Sequence, residues 1–258
     1  MNRFIQYLHL IFGNKTILNL FQKISGTKIY KSIPYGVDFF NDVNEHLGNY
    51  TFEVIFDVGA NIGQSAQYFR EKKKNSKILS FEPFEQTFNQ LKKNVKKKDI
   101  ECYNIAFGSK NENIKANYDL KKPYSVKNSL SEKSKPKYSK ECIIKVEKLD
   151  DFIFEKKIEK INYLKIDTEG FDLEVLKGCK KTLSESKIDF IEIEAGMNPT
   201  NKIHVSFTNL KNFLEENNYF IFGFYEQINE KSFANGIYLR RSNVVFVSNK
   251  VNHECFRK

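Results

Sequence analysis

Cysteine, proline and glycine are scarce in this chain, and no apolar run is long. Twelve glycines and five prolines among 258 residues exclude a collagen-like chain, and a hydrophobic fraction of 40% excludes a wholly disordered one. The four cysteines form no C-x-x-C pair and have no histidine at zinc spacing, which indicates buried free thiols and a reducing, cytoplasmic location. No run approaches the roughly 18 apolar residues of a membrane span. The composition therefore predicts a globular protein without a transmembrane segment.

The start of the chain carries an apolar pattern, at residues 4–12, that resembles a secretion signal. Gln6 and His9 interrupt it, and no A-x-A-like cleavage site follows. The apolar residues stand at helical spacing, which predicts an amphipathic helix that packs on the domain, on a partner or peripherally on a membrane surface. We therefore expect residues 1–50 to form an N-terminal helical extension.

Positive charge exceeds negative charge: 42 lysines and arginines face 32 acidic residues, for a net charge of +10. Much of the excess is lysine in short runs, such as residues 72–74 and 96–98, on or just after predicted helices. Arginine is scarce, and no zinc-finger, RNA-recognition or basic-zipper signature is present, which argues against a nucleic-acid partner. If the positive charge attracts an acidic partner, a phosphorylated small molecule is a simpler candidate than a nucleic acid.

From residue 52 onward, short β-branched and aromatic runs alternate with amphipathic segments, the pattern of βαβ units and a mainly parallel sheet. Strands are predicted at residues 54–58, 78–81, 100–106, 163–166, 190–194, 219–225 and 244–247. Helices are predicted at residues 84–98, 171–183 and 207–216. The predicted fold class is α/β, with a seven-stranded sheet in a domain at residues 51–258.

The interval 109–142 interrupts this alternation. It is polar, rich in lysine, serine and asparagine, and contains Pro123 and Pro136. An inserted loop or hairpin fits this composition, either as a mobile insertion near the acceptor cleft or as a merely disordered one.

A glycine turn follows the first predicted strand, in the pattern D-x-G-x-N-x-G from Asp57 to Gly63. A dinucleotide-binding loop reads G-x-G-x-x-G, but here Asn61 replaces the second glycine, which weakens the interpretation as an NAD site. The turn can present backbone N–H groups and a nearby acid to a zwitterion, as the amino-acid end of S-adenosylmethionine requires. A purely structural turn remains the alternative.

The second predicted strand ends in Ser80-Phe81-Glu82-Pro83. Glu82 follows Asp57 at close to the interval of roughly 20 residues at which an acid binds a ribose. A carboxylate can accept hydrogen bonds from both ribose hydroxyls. The alternative is that Glu82 caps the next helix.

These segments, together with Leu164-Lys165-Ile166-Asp167-Thr168-Glu169-Gly170 and Glu174-Val175-Leu176-Lys177-Gly178, resemble the FkbM family of S-adenosylmethionine-dependent methyltransferases. The resemblance covers roughly residues 52–250. It implies a class I methyltransferase (Rossmann-like) fold with helices on both faces of the sheet and one antiparallel strand near the C-terminus. It also implies methylation of hydroxyl oxygens on sugars and natural products, often in polysaccharide biosynthesis, although the acceptor does not follow from the fold.

The resemblance also implies roles by position. The methionine end of the cofactor would be held by Asp57, Gly59, Ala60, Asn61 and Gly63, the ribose by Glu82, and the adenine by Asn104 and Ala106. In this fold, ligands lie at the carboxyl ends of the strands, so Asp57, Glu82, Asp167 and Glu194 should converge on one cleft.

Methyl transfer to an alcohol needs a group that removes the hydroxyl proton. The candidates are Asp167, Glu169, Glu194 and His204. Asp167 is placed first, as a base or as a ligand of a divalent cation such as Mg²⁺, and His204 second. Two roles are equally compatible with the position of Glu169: contact with the substrate, or capping of the next helix.

The sequence thus predicts a cytoplasmic S-adenosylmethionine-dependent O-methyltransferase whose acceptor is a sugar hydroxyl, a surface-glycan precursor or a related metabolite. Two alternatives remain open. One is N-methylation or nucleic-acid methylation, which the net charge of +10 permits. The other is a non-catalytic binding module that keeps the cofactor fold.

Overall fold

The fold is given by a computed structural model that describes residues 23–24, 30, 32–119, 139–229 and 237–256. The amphipathic segment predicted at residues 4–12 and the middle of the predicted insertion, residues 120–138, lie outside the described residues. Within the described ranges, no helix is both long enough and apolar enough to cross a membrane.

Ten strands in the described chain form two sheets. They are β1 (Val54–Val58), β2 (Lys77–Phe81), β3 (Ile100–Tyr103), β4 (Ala106–Phe107), β5 (Glu112–Asp119), β6 (Ser139–Glu147), β7 (Ile161–Ile166), β8 (Ile188–Gly196), β9 (Tyr219–Asn229) and β10 (Leu239–Ser248). Seven of them form one sheet in the order β3-β2-β1-β7-β8-β10-β9. In this sheet β10 is antiparallel to both neighbours and all other pairs are parallel. The predicted seven-stranded, mainly parallel sheet is confirmed.

Helices cover both faces of this sheet, as predicted. The helices of the described chain are α1 (Phe39–Leu47), α2 (Gln64–Lys72), α3 (Glu85–Val95), α4 (Leu149–Glu155), α5 (Asp172–Lys177), α6 (Lys180–Ser184), α7 (Phe207–Glu216) and α8 (Asn249–Phe256). Buried residues of α4, α5, α6 and α7 share one apolar cluster with the sheet. Buried residues of α1, α2 and α8 share a second cluster with strand residues that include Ile55, Tyr163 and Phe190.

The face covered by α1 and α2 turns polar toward the carboxyl ends of the strands. Alternate residues of a strand face the same side of a sheet. Two residues beyond Ile55, Tyr163 and Phe190 on their strands stand Asp57, Lys165 and Glu192. Asp57 is in register with Lys165, and Lys165 with Glu192, so the three buried charged residues form a row across β1, β7 and β8.

The third predicted strand is shorter than expected, because the chain changes sheets within it. β3 ends at Tyr103, and Ala106–Phe107 forms β4, which pairs with β6 in a second, three-stranded sheet. The two described arms of the predicted insertion, β5 and β6, are antiparallel. Their apolar side chains form a small cluster with Phe84 and Ala106. The arms therefore lie beside β4 and the start of α3.

Candidate active site

A cavity of about 360 Å³ lies at the carboxyl ends of the parallel strands. One wall is formed by the β1–α2 turn, the end of β2 and residues 105–107. The other wall is formed by residues of β7 to β10 and by the segment after β7. Of the four strand-end acids expected to converge here, Glu82, Asp167 and Glu194 line this cavity, and Asp57 does not.

The glycine turn is fixed by its neighbours on both sides. Gly59 has a φ of 86°, and a Cβ there would lie 2.0 Å from the Asp167 carbonyl oxygen. The backbone N–H groups of Gly59 and Ala60 both donate to the Phe81 carbonyl at 3.0 Å. These N–H groups therefore bind β2, and the cavity wall at the start of α2 is formed by Gln64 and Ser65.

Gly63 has a packing role and lies outside the cavity lining. Its φ is 94°, and a Cβ there would lie 2.8 Å from a methyl carbon of Leu91 on α3. Gly63 thus allows α2 and α3 to approach closely. It helps to position the turn but does not itself line the cavity.

Glu82 lines the cavity and also caps the next helix. Its two carboxylate oxygens accept hydrogen bonds from the backbone N–H groups of Asn61 and Phe84, each at 3.0 Å. Phe84 is the N-cap of α3. Burial raises the pKa of Glu82 to about 7. Both sequence interpretations of Glu82 are therefore compatible with its position.

The two residues expected near the adenine differ in placement. Ala106 lines the cavity, as do its neighbours Ile105 and Phe107. Asn104 is exposed, lies outside the lining, and donates to the Glu82 and Pro83 carbonyls at 2.9 Å. Asn104 therefore holds the end of β2 in place.

Asp57 lies behind the cavity wall. It is fully buried, and neither carboxylate oxygen has a partner within hydrogen-bond geometry. Burial raises its pKa to about 7, although the Lys165 ammonium in register with it acts in the opposite direction. Asp57, which was expected to contact the cofactor directly, is thus part of the buried row of charged residues behind the cavity wall.

Lys165, for which the sequence motifs predict no role, lines the cavity and pairs with Asp167. Its ammonium lies 2.7 Å from the Asp167 carboxylate. Burial raises the pKa of Asp167, but the adjacent Lys165 charge more than offsets this and holds it below its usual value. Asp167 therefore retains its negative charge and is a weak proton acceptor.

Glu169 lines the cavity in a strained backbone conformation, with a φ of 53°. The loop around Glu169 is held by Asp172, whose carboxylate accepts hydrogen bonds from the Thr168 and Gly170 N–H groups at 3.1 Å. Burial, and then the negative charge of Asp167, raise the pKa of Glu169 to about 7. A carboxylate with this pKa is suited to accept a proton near neutral pH.

His204 is held by Asn201, another residue that the sequence did not indicate. The Asn201 side-chain oxygen accepts from the Ile203 and His204 N–H groups, and its nitrogen donates to the Arg240 carbonyl. The same nitrogen lies 2.9 Å from His204 Nδ1, closer than the oxygen at 3.1 Å. Because Nε2 faces the Glu194 carboxylate at 2.5 Å, the neutral imidazole is assigned its proton on Nε2, with Nδ1 as the acceptor toward Asn201.

The Nε2 proton of His204 is directed at Glu194, whose carboxylate lies 2.5 Å away. The other oxygen of that carboxylate pairs with the Arg241 guanidinium. Burial lowers the pKa of His204. The imidazole lies outside the cavity lining, and its Nε2 also lies 3.6 Å from the Glu169 carboxylate. His204 therefore contacts two of the candidate acids from behind the cavity lining.

The sequence motifs gave no indication that Glu226, Arg241 and Asn243 line the cavity. They lie at the end of β9 and the beginning of β10, far from the motifs in sequence. The one signal was the polar start of β10, Arg240 to Asn243, before its apolar run.

The strand order, the antiparallel β10 and a cavity at the carboxyl ends define a class I methyltransferase fold. Residues 57–221, more than half of the chain, match the methyltransferase FkbM domain. The chain belongs to this family. The resemblance expected from the motifs is thereby confirmed.

Two characterised relatives are similar over part of their length. The chain is 27% identical to the hexuronic acid methyltransferase AglP of Haloferax volcanii over 147 residues, 57% of this chain and 58% of that protein. It is 25% identical to the 2-O-methyltransferase NoeI of Sinorhizobium fredii over 154 residues, 54% of this chain and 62% of that protein. The chain thus spans about three fifths of the curated relatives it matches.

Among solved structures, the chain is similar to M. capricolum TrmK in complex with S-adenosylhomocysteine. The sequence identity is 17% and the TM-score 0.46, over 83% of this chain and 70% of that one.

Proposed function

We propose that this protein is an S-adenosylmethionine-dependent O-methyltransferase that acts on a hydroxyl of a sugar, a surface-glycan precursor or a related metabolite. The observation that carries the proposal is the two-walled cavity, in which Glu82 and the glycine turn face a second wall rich in acids. Family membership supports methyl transfer. The relative AglP, a hexuronic acid methyltransferase, supports a sugar-type acceptor, and NoeI, a 2-O-methyltransferase, supports transfer to oxygen.

The cofactor is proposed to lie against the wall formed by β1, β2 and β4. Glu82 would accept the ribose hydroxyls, Ile105 to Phe107 would contact the adenine, and the start of α2 would face the methionine end. When bound, S-adenosylmethionine supplies the electrophilic methyl group. The chain's own residues bind it, exclude water and align the acceptor.

Calorimetry tests this placement. We expect binding of S-adenosylmethionine but not of NAD, and a loss of about 1 to 3 kcal/mol in Glu82→Gln, because the ribose hydroxyls lose a charged acceptor. Glu101→Gln is the control, since Glu101 pairs with Lys77 on the surface and lies outside the cavity lining. Preferential binding of NAD, or unchanged affinity in folded Glu82→Gln, would contradict the placement.

For the chemical step we propose Glu169 as the base. Methyl transfer is an in-line displacement, so the acceptor oxygen must be aligned and must lose its proton. Asp167 is committed to Lys165 and Glu194 to His204 and Arg241. Glu169 also has a partner, His204 Nε2 at 3.6 Å, but it lines the cavity with a pKa raised to about 7, so it is the acid best suited to take the proton.

A divalent cation is the alternative way to activate the hydroxyl. Donor atoms of Glu169, Glu194 and His204 lie within 4.8 Å of one another. This set does not suit Mg²⁺, because Mg²⁺ prefers oxygen ligands and the Glu194 carboxylate already binds both Arg241 and the His204 Nε2 proton. We therefore expect EDTA to leave the turnover rate unchanged. Loss of activity with EDTA that Mg²⁺ or Mn²⁺ restores would favour the cation.

The overall activity is tested by incubating the protein with labelled S-adenosylmethionine and either sugar acceptors or cell extract. Mass spectrometry should show a gain of one methyl group on a hydroxyl of a sugar-containing product. Label on an amine or on nucleic acid would favour the alternative methyltransferase class. Tight cofactor binding without any transfer would favour a binding module.

We also propose the organisation and location expected from the sequence. Residues 1–50 would form an extension and residues 51–258 the methyltransferase domain. The described part of the extension supports its packing on the domain, since Phe39 and Phe40 of α1 are buried in the cluster on one face of the sheet. The free cysteines of the described chain, Cys102, Cys142 and Cys179, support a reducing, cytoplasmic environment.

A further inference from the structure

The wall of the cavity opposite the proposed cofactor site carries planar polar groups from β9 and β10. Asn243 is buried, and its amide donates to Glu226 and to Glu192, each at 3.2 Å. Arg241 lies two residues before Asn243 and lines the same wall. A carboxylate, an amide and a guanidinium together offer both donors and acceptors, as the alternating hydroxyls of a sugar require.

The backbone at Glu226 is strained. Its φ of 45° is in the left-handed region, which is unfavourable for residues with a Cβ. The β9–β10 register shifts at this point, between Arg241 and Asn243. This irregularity places Glu226 on the lining of the cavity. Asn61 and Glu169, which also line it, have the same backbone conformation.

The charges on the lining decide what this wall can accept. Among the lining residues of the described chain, five are acids and two are cationic. Both cations are already paired, Lys165 with Asp167 and Arg241 with Glu194. An acceptor carboxylate or phosphate would enter a site with an excess of negative charge, and its desolvation would have no compensating partner.

We propose that Glu226, Asn243 and Arg241 form an acceptor subsite that selects an uncharged, hydroxyl-rich sugar and rejects its carboxylate counterpart. This inference rests on the proposed function and narrows its substrate class. It separates this protein from its relative AglP, a hexuronic acid methyltransferase. Glu226 and Asn243 would bind acceptor hydroxyls next to the one that is methylated, and Glu226 would repel a carboxylate.

Matched acceptors test the subsite. The probes are methyl glycosides of glucose, galactose and mannose, each compared with the methyl glycoside of the corresponding uronic acid, in an assay of labelled methyl transfer. We expect kcat/KM for the best neutral sugar to exceed that for its uronic acid at least tenfold. Equal or better use of the uronic acid overturns the inference while leaving the proposed function intact.

Charge reversal sharpens the test. Glu226→Lys should reduce kcat/KM for the neutral sugar about tenfold or more and should narrow or invert its advantage over the uronic acid. Glu216→Lys, an equal change at an exposed position on α7 outside the lining, should leave both values unchanged. An unaltered preference in folded Glu226→Lys removes Glu226 from the subsite. If wild type binds S-adenosylmethionine but methylates no sugar in the panel or in extract, the proposed function fails, and the inference with it.

Discussion

At the scale of single residues, Gly59 and Glu169 are both set by one segment, the turn after β7. Gly59 brings β1 against the Asp167 carbonyl, so its missing side chain fixes the spacing of two strand ends. Glu169 then turns into the cavity with a positive φ. Two positions far apart in sequence thus depend on one close backbone contact.

Gly59→Ala should therefore be strongly destabilising. Its Cβ would lie 2.0 Å from a backbone oxygen that cannot move freely, in addition to the cost of a positive φ. We expect a loss of about 2 kcal/mol or more in the free energy of unfolding, measured by urea denaturation. Gly48→Ala is the control, because Gly48 also has a positive φ but no atom within 4 Å of the added Cβ. Equal losses at both positions would show that the contact at Gly59 is unimportant.

Glu169→Gln should abolish most turnover while preserving cofactor binding. The amide keeps the size of the side chain but cannot accept the hydroxyl proton, so kcat should fall about 10²-fold or more. In wild type, turnover should rise with pH through about 7, because the base must be ionised. Glu174→Gln, which changes an acid paired with Lys177, is the matched control. A folded Glu169→Gln variant with near wild-type kcat would exclude Glu169 as the base and favour Asp167 instead.

At the scale of elements, the segment after β7 departs from the expected single helix at residues 171–183. It forms two short helices, α5 and α6, that are separated at Gly178 and Cys179. A Cβ at Gly178 would lie 2.1 Å from the Gly108 carbonyl oxygen. The close approach of the segment before β5 thus coincides with the break, and local apolar spacing could not reveal it.

Asp172, in the first turn of α5, links this element to the site. Its carboxylate binds the Thr168 and Gly170 N–H groups on either side of Glu169. Asp172→Ala should cost about 1 to 2 kcal/mol of stability, as the loss of a capping carboxylate does, and should also lower kcat by loosening Glu169. Asp151→Ala, in the first turn of α4, should cost less and leave kcat unchanged. A loss of stability with unaltered kcat would limit Asp172 to a structural role.

At the scale of the whole molecule, the interior of a basic protein holds an acidic site. Asp57, Glu82 and Glu169 each have a pKa raised to about 7, with burial as the main cause. A group whose pKa is higher in the folded state stabilises the fold below its unfolded pKa, near 4, and loses this contribution as pH rises through the folded value. The unliganded protein should therefore lose stability between about pH 4 and pH 8.

Asp57→Asn tests this pH dependence, because it removes the most buried of the three charges. The free energy of unfolding of the variant minus that of wild type should be larger at pH 8 than at pH 5, by about 2 kcal/mol or more. Denaturation curves at both pH values measure this difference, with Glu101→Gln as a surface control. A constant difference across this range would show that Asp57 does not titrate there.

The α/β class, the seven strands, the glycine turn and the family followed from the sequence alone. Each depends on short-range patterns: apolar runs of strand length, a turn that only glycine accommodates, and motifs continuous along the chain. The acids of the site were also visible, because Glu82, Asp167 and Glu194 stand at the carboxyl ends of strands. Their order of importance was not visible, since it depends on neighbours from other strands.

Only the tertiary structure decided which groups are charged and which face the cavity. Register places Lys165 between Asp57 and Glu192, and Lys165 in turn keeps Asp167 ionised. Asn201 holds the His204 ring with Nε2 toward Glu194, and an irregular β9–β10 pairing accompanies the position of Glu226 on the cavity lining. The physical reason is that a pKa is set by burial and by the charges within a few ångströms. Sequence patterns specify which residues enter a strand, but only the packed sheet specifies which of them meet.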